Sequence, residues 1–256
     1  MTEKNLKPIF IAGPCVIENM ELLETVAAEV VRLRNKFDIE IYFKASFDKA
    51  NRTSLNSFRG PGLEKGVQML GDIKSKYGVP VLTDIHESHQ AEVAGQVVDV
   101  IQIPAFLSRQ TDLLVAAAKT GKIINIKKAQ FMSAADMKYP MQKALESGGK
   151  EVWLTERGNM FGYNNLIVDF RNIAEMKQMC ERVIMDCTHS VQRPSNANGV
   201  TGGNREYVPS MALAAKAFGA NGYFFEVHPD PDNVKSDAAN SLYLSDLEQV
   251  ISNILK

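Results

Sequence analysis

Ile41-Tyr42-Phe43-Lys44-Ala45-Ser46-Phe47-Asp48-Lys49-Ala50-Asn51-Arg52-Thr53-Ser54 passes from an apolar, β-prone run into a polar, cationic loop. Reading outward from this stretch, apolar runs of strand length recur at residues 9–12, 40–44, 79–83, 98–103, 123–126, 151–155, 183–187 and 223–227. Most are near-continuous rather than alternating, the pattern of parallel strands covered on both faces. Between them lie helical patterns at residues 20–35, 62–77, 88–95, 111–120, 134–146, 172–182, 207–218 and 245–255. In the first of these, Leu22, Leu23, Val26, Ala27, Val30 and Leu33 form one stripe, with Asn19 placed to cap the N-terminus. Eight strands alternating with eight helices, with no linker-like shift, predict a single-domain (β/α)8 TIM barrel over residues 1–256. A doubly wound open sheet is the alternative, but no Gly-x-Gly-x-x-Gly turn follows a strand.

The composition narrows the function classes. The chain has 256 residues, 45% of them hydrophobic and 23% charged, and a net charge of −1, as expected of a soluble globular protein. Such a balance leaves no electrostatic footprint for nucleic acid, and no basic helix suggests a membrane surface. No apolar run approaches the ~20 residues that a membrane span needs. The N-terminal residues lack a signal-peptide core, and three cysteines, Cys15, Cys180 and Cys187, form a sparse, odd set. Together these predict a cytoplasmic protein with no disulfide framework.

A barrel of this kind builds its active site at the C-terminal ends of its strands. Those ends carry Cys15; Lys44 and Lys49; Asp84 and His86; Gln102 and Arg109; Lys127 and Lys128; Glu156 and Arg157; Asp186 and His189; and Glu226, His228 and Asp237. The opposite ends carry little ionisable chemistry. Lys44, Lys49, Arg52 and Arg59 fall within sixteen residues, and such a cluster repels itself unless an anion sits among it. Lys44, Lys49, Lys127 and Arg157 come from three strand ends and suit one small, highly charged anion. Asn51, Arg52, Thr53 and Ser54 suit a polyhydroxylated, phosphorylated ligand. Cys15, His189, Glu226 and Asp237 combine sulfur, nitrogen and oxygen donors fitted to a divalent transition metal. Taken singly, Cys15 also reads as a small buried apolar residue, and His189 as a hydrogen-bonded strand-end histidine.

Several longer motifs carry a resemblance. They are Ala12-Gly13-Pro14-Cys15, Phe43-Lys44-Ala45-Ser46-Phe47-Asp48-Lys49-Ala50-Asn51-Arg52, Leu82-Thr83-Asp84-Ile85-His86, and Gln102-Ile103-Pro104-Ala105-Phe106-Leu107-Ser108-Arg109-Gln110. Lys127-Lys128-Ala129-Gln130, Glu156-Arg157-Gly158-Asn159, Asp186-Cys187-Thr188-His189 and Glu226-Val227-His228-Pro229-Asp230 complete the set. Nearly end to end, the chain resembles the 3-deoxy-D-manno-octulosonate 8-phosphate synthases. That resemblance implies a transferase that condenses phosphoenolpyruvate with D-arabinose 5-phosphate, a step of lipopolysaccharide (Kdo) biosynthesis.

It further implies that Lys44, Lys49, Gln102, Lys127 and Arg157 hold phosphoenolpyruvate, with Asp84 also among the substrate-binding residues. Asn51, Arg52 and Thr53 would take the sugar phosphate, joined by Arg109 from a neighbouring subunit of a homotetramer. Thr53 stands where this family usually has Ser. Cysteine at position 15, rather than asparagine, marks the metal-dependent class, so Cys15, His189, Glu226 and Asp237 would bind Zn, Fe, Mn or Co. Lys44, His189 and Asp237 are then the candidates for proton transfer. The segment at residues 193–204 departs most from the family pattern and reads as a lid. Two rivals stay open: a heptulosonate 7-phosphate synthase using erythrose 4-phosphate, and a non-catalytic phosphosugar-binding barrel. The former typically reads Lys-Pro-Arg-Thr-Ser where this chain has Lys49-Ala50-Asn51-Arg52-Thr53-Ser54.

Overall fold

The alternation of apolar runs and helical stripes closes into a barrel. The structure, a computed structural model, describes residues 6–51, 54–194, 202–236 and 238–256. Among them, eight parallel strands run in chain order: β1 (Ile9–Gly13), β2 (Glu40–Lys44), β3 (Val81–Asp84), β4 (Val100–Ile103), β5 (Ile123–Lys127), β6 (Val152–Glu156), β7 (Val183–Asp186) and β8 (Gly222–His228). Closure comes from β1 pairing with β8, in a register that sets Ile9 against Gly222 and Gly13 against Glu226. Outside the sheet lie α1 (Met20–Phe37), α2 (Leu63–Tyr77), α3 (Gln90–Gly95), α4 (Thr111–Lys119), α5 (Lys138–Glu146), α6 (Arg171–Met176), α7 (Val208–Ala217) and α8 (Leu247–Leu255).

Two apolar layers hold this arrangement. Ile9, Ile11, Tyr42, Leu82, Val100, Trp153, Ile184 and Phe224 fill the barrel, whereas Phe10, Ile41, Phe43, Ile101 and Ile124 face the helices. α1 shows how a helix joins the outer layer. The Asn19 side chain accepts from Leu22 N at 2.8 Å, and all six residues of the expected stripe are buried. Burying each such Val or Leu stabilises the fold by about 1.5–3 kcal/mol. α6 is shorter than its periodicity predicts and stops at Met176. Turns then bury Cys180, whose thiol donates to Val152 O at 3.2 Å.

The interior changes character along each strand. Because side chains on one face recur every second residue, Tyr42 is followed by Lys44, Leu82 by Asp84, Val100 by Gln102, Ile184 by Asp186 and Phe224 by Glu226. The lower layer is apolar and the upper layer charged, so one mouth of the barrel collects the chemistry. Two short hairpins decorate that mouth: Asn159–Met160 with Leu166–Ile167, and Gln192–Arg193 with Gly202–Gly203. The second hairpin is the base of the segment expected to form a lid, of which residues 195–201 lie outside the described ones.

Candidate active site

β2 and the loop that follows bring Lys44 and Lys49 to the mouth, β5 brings Lys127, and Arg157 follows β6 directly. All four line one cavity of about 470 Å³, together with Asn51, Asp84, Gln102, His189 and Glu226. Lys44, Lys127 and Arg157 are each at most 6% exposed. Burying cations this deeply is costly without compensation, and carboxylates below them supply part of it. Lys44 Nζ donates to Glu226 Oε1 at 2.7 Å and to Cys15 O at 2.9 Å; Lys49 Nζ lies 3.7 Å from the same carboxylate oxygen. Lys127 Nζ donates to Asp186 Oδ2 at 2.5 Å and sits 3.9 Å over the Phe224 ring. Burial still pulls the Lys127 ammonium below its ordinary value, against the opposing pull of Asp186.

Asp186 organises the floor. Its Oδ1 accepts from the Thr188 and His189 amides at 3.1 and 2.8 Å, and its Oδ2 meets both Lys127 and His189 Nδ1, the latter at 2.8 Å. With Nδ1 engaged, the opposite nitrogen, His189 Nε2, turns toward Glu226 Oε2 at 3.6 Å. Burial lowers His189, but Asp186 and Glu226 outweigh it and raise the imidazole, so this corner attracts a cation. Thr188 Oγ1 accepts from the Glu226 amide at 2.9 Å and joins the β7 and β8 ends.

Cys15 reaches the same side of the mouth because Gly13, two residues before it, pairs with Glu226. Its Sγ lies 2.8 Å from Ser236 Oγ, next in sequence to Asp237. Asp237 itself falls outside the described residues, as do Arg52 and Thr53. Among the described residues, no three His, Cys, Asp or Glu side chains form a metal-sized group. The donors present nonetheless fit a divalent ion. Two ligands about 2.0–2.2 Å from one ion stand roughly 3.3–3.6 Å apart at a tetrahedral angle, and His189 Nε2 and Glu226 Oε2 are 3.6 Å apart.

Strand-end position misleads for some residues. Arg59 is turned away in a bidentate pair with Asp48, at 2.8 and 2.5 Å. Lys128 and Glu156 point out of the barrel, where they lie 3.5 Å apart and fully buried. His228 accepts from the Asp230 amide at 3.0 Å and is absent from the cavity lining. Arg109 is exposed and also outside the lining. Conversely, Asp186, His86, Gln130 and Gln192 belong to the site although sequence reasoning gave them no role. Gln192 accepts from Arg157 at 3.0 Å; Gln130 stands in a quoted motif, and His86 and Asp186 stand both in the motifs and among the strand-end residues. Asp84 lines the cavity; it accepts from Ser46 and lies 3.1 Å from His86 Nε2.

A sequence profile described as the DAHP synthetase I family matches residues 1–255. The chain belongs to that family. Curated relatives sharpen the placement, each named 2-dehydro-3-deoxyphosphooctonate aldolase. A Helicobacter pylori (strain P12) protein is 50% identical, over 99% of this chain and 96% of its own. One from Fusobacterium nucleatum subsp. nucleatum is 52% identical, over 95% and 87%, and one from Desulfatibacillum aliphaticivorans 51%, over 96% and 90%. The similarity runs essentially end to end.

Proposed function

We propose that the chain is an enzyme that condenses phosphoenolpyruvate with D-arabinose 5-phosphate and water, giving 3-deoxy-D-manno-octulosonate 8-phosphate and inorganic phosphate. Three carbons and five make the eight-carbon acid phosphate in the relatives' printed name. The observation that carries the reading is the convergence of Lys44, Lys49, Lys127 and Arg157 on one cavity whose floor holds His189 and Glu226. Two phosphorylated anions repel each other, and this cage neutralises them and aligns the enol carbon with the aldehyde. C3 of phosphoenolpyruvate attacks the aldehyde carbon, water adds at C2, and phosphate leaves with cleavage of its C–O bond. Lys44, held between Glu226 and the Cys15 carbonyl, donates the proton to the nascent hydroxyl. His189 and Asp237 would take the proton of the added water.

Cys15, His189, Glu226 and Asp237 would hold a divalent metal. Such an ion would supply Lewis-acid chemistry, acidifying the water or polarising the aldehyde. Asn51 lines the cavity and sets the sugar specificity, because its amide pairs with a hydroxyl that a four-carbon sugar lacks. Phosphate release from phosphoenolpyruvate, measured with each aldose phosphate in turn, tests the assignment. Arabinose 5-phosphate should support turnover and erythrose 4-phosphate very little; the reverse order would assign the chain to the heptulosonate branch.

The working form we infer is a homotetramer. Phe106, Phe131, Tyr139, Phe161 and Tyr163 are all more than half exposed, on the loops and the helix that follow β4, β5 and β6. Arg109 stands among these segments, joined through its carbonyl to Lys143 of α5 at 3.2 Å, and would reach a neighbour's sugar-phosphate site. No helix among the described residues is long and apolar enough to cross a membrane. The three cysteines are buried thiols, which supports a place in the cytoplasm.

A further inference from the structure

Beneath the cage, a chain of uncharged side chains runs along the inner wall of the barrel from β6 through its neighbour β5 to β4. Thr155 Oγ1 donates to Asn125 Oδ1 at 2.6 Å, and Asn125 Nδ2 donates to Gln102 Oε1 at 3.1 Å. Thr155 and Asn125 are fully buried and Gln102 is 4% exposed, so bulk water does not compete for these bonds. Each amide has one accepting and one donating end. The Thr155 hydroxyl proton finds its acceptor in Asn125 Oδ1, which leaves the Asn125 NH2 for Gln102. The Gln102 carbonyl is thereby engaged, and its NH2 end remains for the cavity that Gln102 lines.

We propose that Asn125 and Thr155 are positioning residues that set the polarity of the Gln102 amide, presenting its NH2 as a preorganised donor to the anionic substrate. This rests on the reading of the cavity as a phosphoenolpyruvate site. Lys44 and Lys127 attract an anion from any direction, whereas an oriented amide donor selects one pose. An unoriented Gln102 would turn its carbonyl oxygen toward the anion in part of the population, and a carbonyl facing an anion is repulsive. Neither positioning residue needs to touch the ligand.

The test combines direct titration of phosphoenolpyruvate by calorimetry with steady-state turnover. Thr155→Val keeps the shape and removes the hydroxyl; it should weaken phosphoenolpyruvate binding about fivefold, the size of one lost oriented hydrogen bond. The KM for arabinose 5-phosphate should stay within about twofold, and Thr155→Ser should restore binding. Asn125→Asp offers only acceptors, forces Gln102 to turn its NH2 inward, and should weaken phosphoenolpyruvate about tenfold or more. In a Gln102→Leu background, Thr155→Val should have almost no further effect, because coupled residues are non-additive. An equal loss in both backgrounds, or unchanged binding in Thr155→Val, would overturn the proposal. Should Asn125→Asp fail to fold, the Thr155 cycle decides alone. A wild-type chain that binds phosphoenolpyruvate without turning it over refutes the reaction and leaves this test intact.

Discussion

Lys128 and Glu156 show what a single buried charge demands. Lys128 Nζ reaches Asn159 Oδ1 at 3.0 Å and Met132 O at 3.2 Å, while Glu156 Oε1 accepts from the Arg157 and Gly158 amides at 3.0 and 2.6 Å. The pair thus fastens the loop that follows Lys127 to the one that carries Arg157. Removing one partner strands the other, so Lys128→Met should cost about 3–5 kcal/mol. Urea unfolding measures it, and a midpoint equal to wild type would contradict the clip. Asp84 yields a pH prediction. Burial alone would raise its carboxyl, but the His86 hydrogen bond and the charges of Lys49, His86 and Lys44 hold it well below the ordinary range. A carboxyl depressed by folding adds stability above its unfolded value near ~3.9, and that stability is lost as pH falls toward the folded value. The stability gap between wild type and Asp84→Asn should therefore shrink below about pH 4. Denaturant melts of both proteins on either side of that pH would reveal a gap that fails to close.

Between elements, one backbone constraint lies where β1 runs beside its parallel neighbour β2. A Cβ on Gly13 would lie 1.9 Å from Lys44 O, a backbone atom that no side-chain rotation can clear. Gly13→Ala must push the end of β2 aside and move Lys44 with it. Overpacking of this kind costs about 1–3 kcal/mol or more, and activity should fall at least tenfold even where the chain still folds, since misplacement of about 1 Å can cost a hundredfold. Full activity in a folded Gly13→Ala protein would show that the mouth tolerates the shift. A second close approach closes the hairpin base, where a Cβ on Gly203 would meet Asn240 Oδ1 at 1.5 Å. Arg205 adds to this junction by pairing with Asp232 at 3.1 Å, so the end of the segment after β7 is tied to the loop after β8.

For the whole molecule, the proposed metal and the proposed assembly make separable predictions. Chelation should abolish turnover, and Mn²⁺, Fe²⁺, Co²⁺ or Zn²⁺ should restore it, with Cys15→Ala losing both metal content and most activity. Full activity in a preparation shown by elemental analysis to hold no metal would reduce Cys15 to packing. Dilution to monomers, or Arg109→Ala in the intact assembly, should raise the KM for arabinose 5-phosphate more than that for phosphoenolpyruvate. A monomer with unchanged sugar affinity would remove Arg109 from the site.

The sequence by itself determined the order of strands and helices, the Asn19 cap and the face on which ionisable residues gather. Each of these is written in local periodicity or in the residue that ends a run, and needs no knowledge of distant neighbours. The motifs also identified the family on their own. Only the tertiary structure decided which strand-end residues face inward. Lys127 and Lys128 are adjacent, yet one lines the cavity and the other is buried outside the barrel, because successive strand residues point to opposite faces. The same parity separates Thr155, in the interior chain, from Glu156, in the outer clip. Asp186 as the link between Lys127 and His189, Asn125 as the partner of Gln102, and the need for glycine at position 13 all depend on register between strands far apart in sequence. Register is set by closure of the whole sheet, and no single segment encodes it.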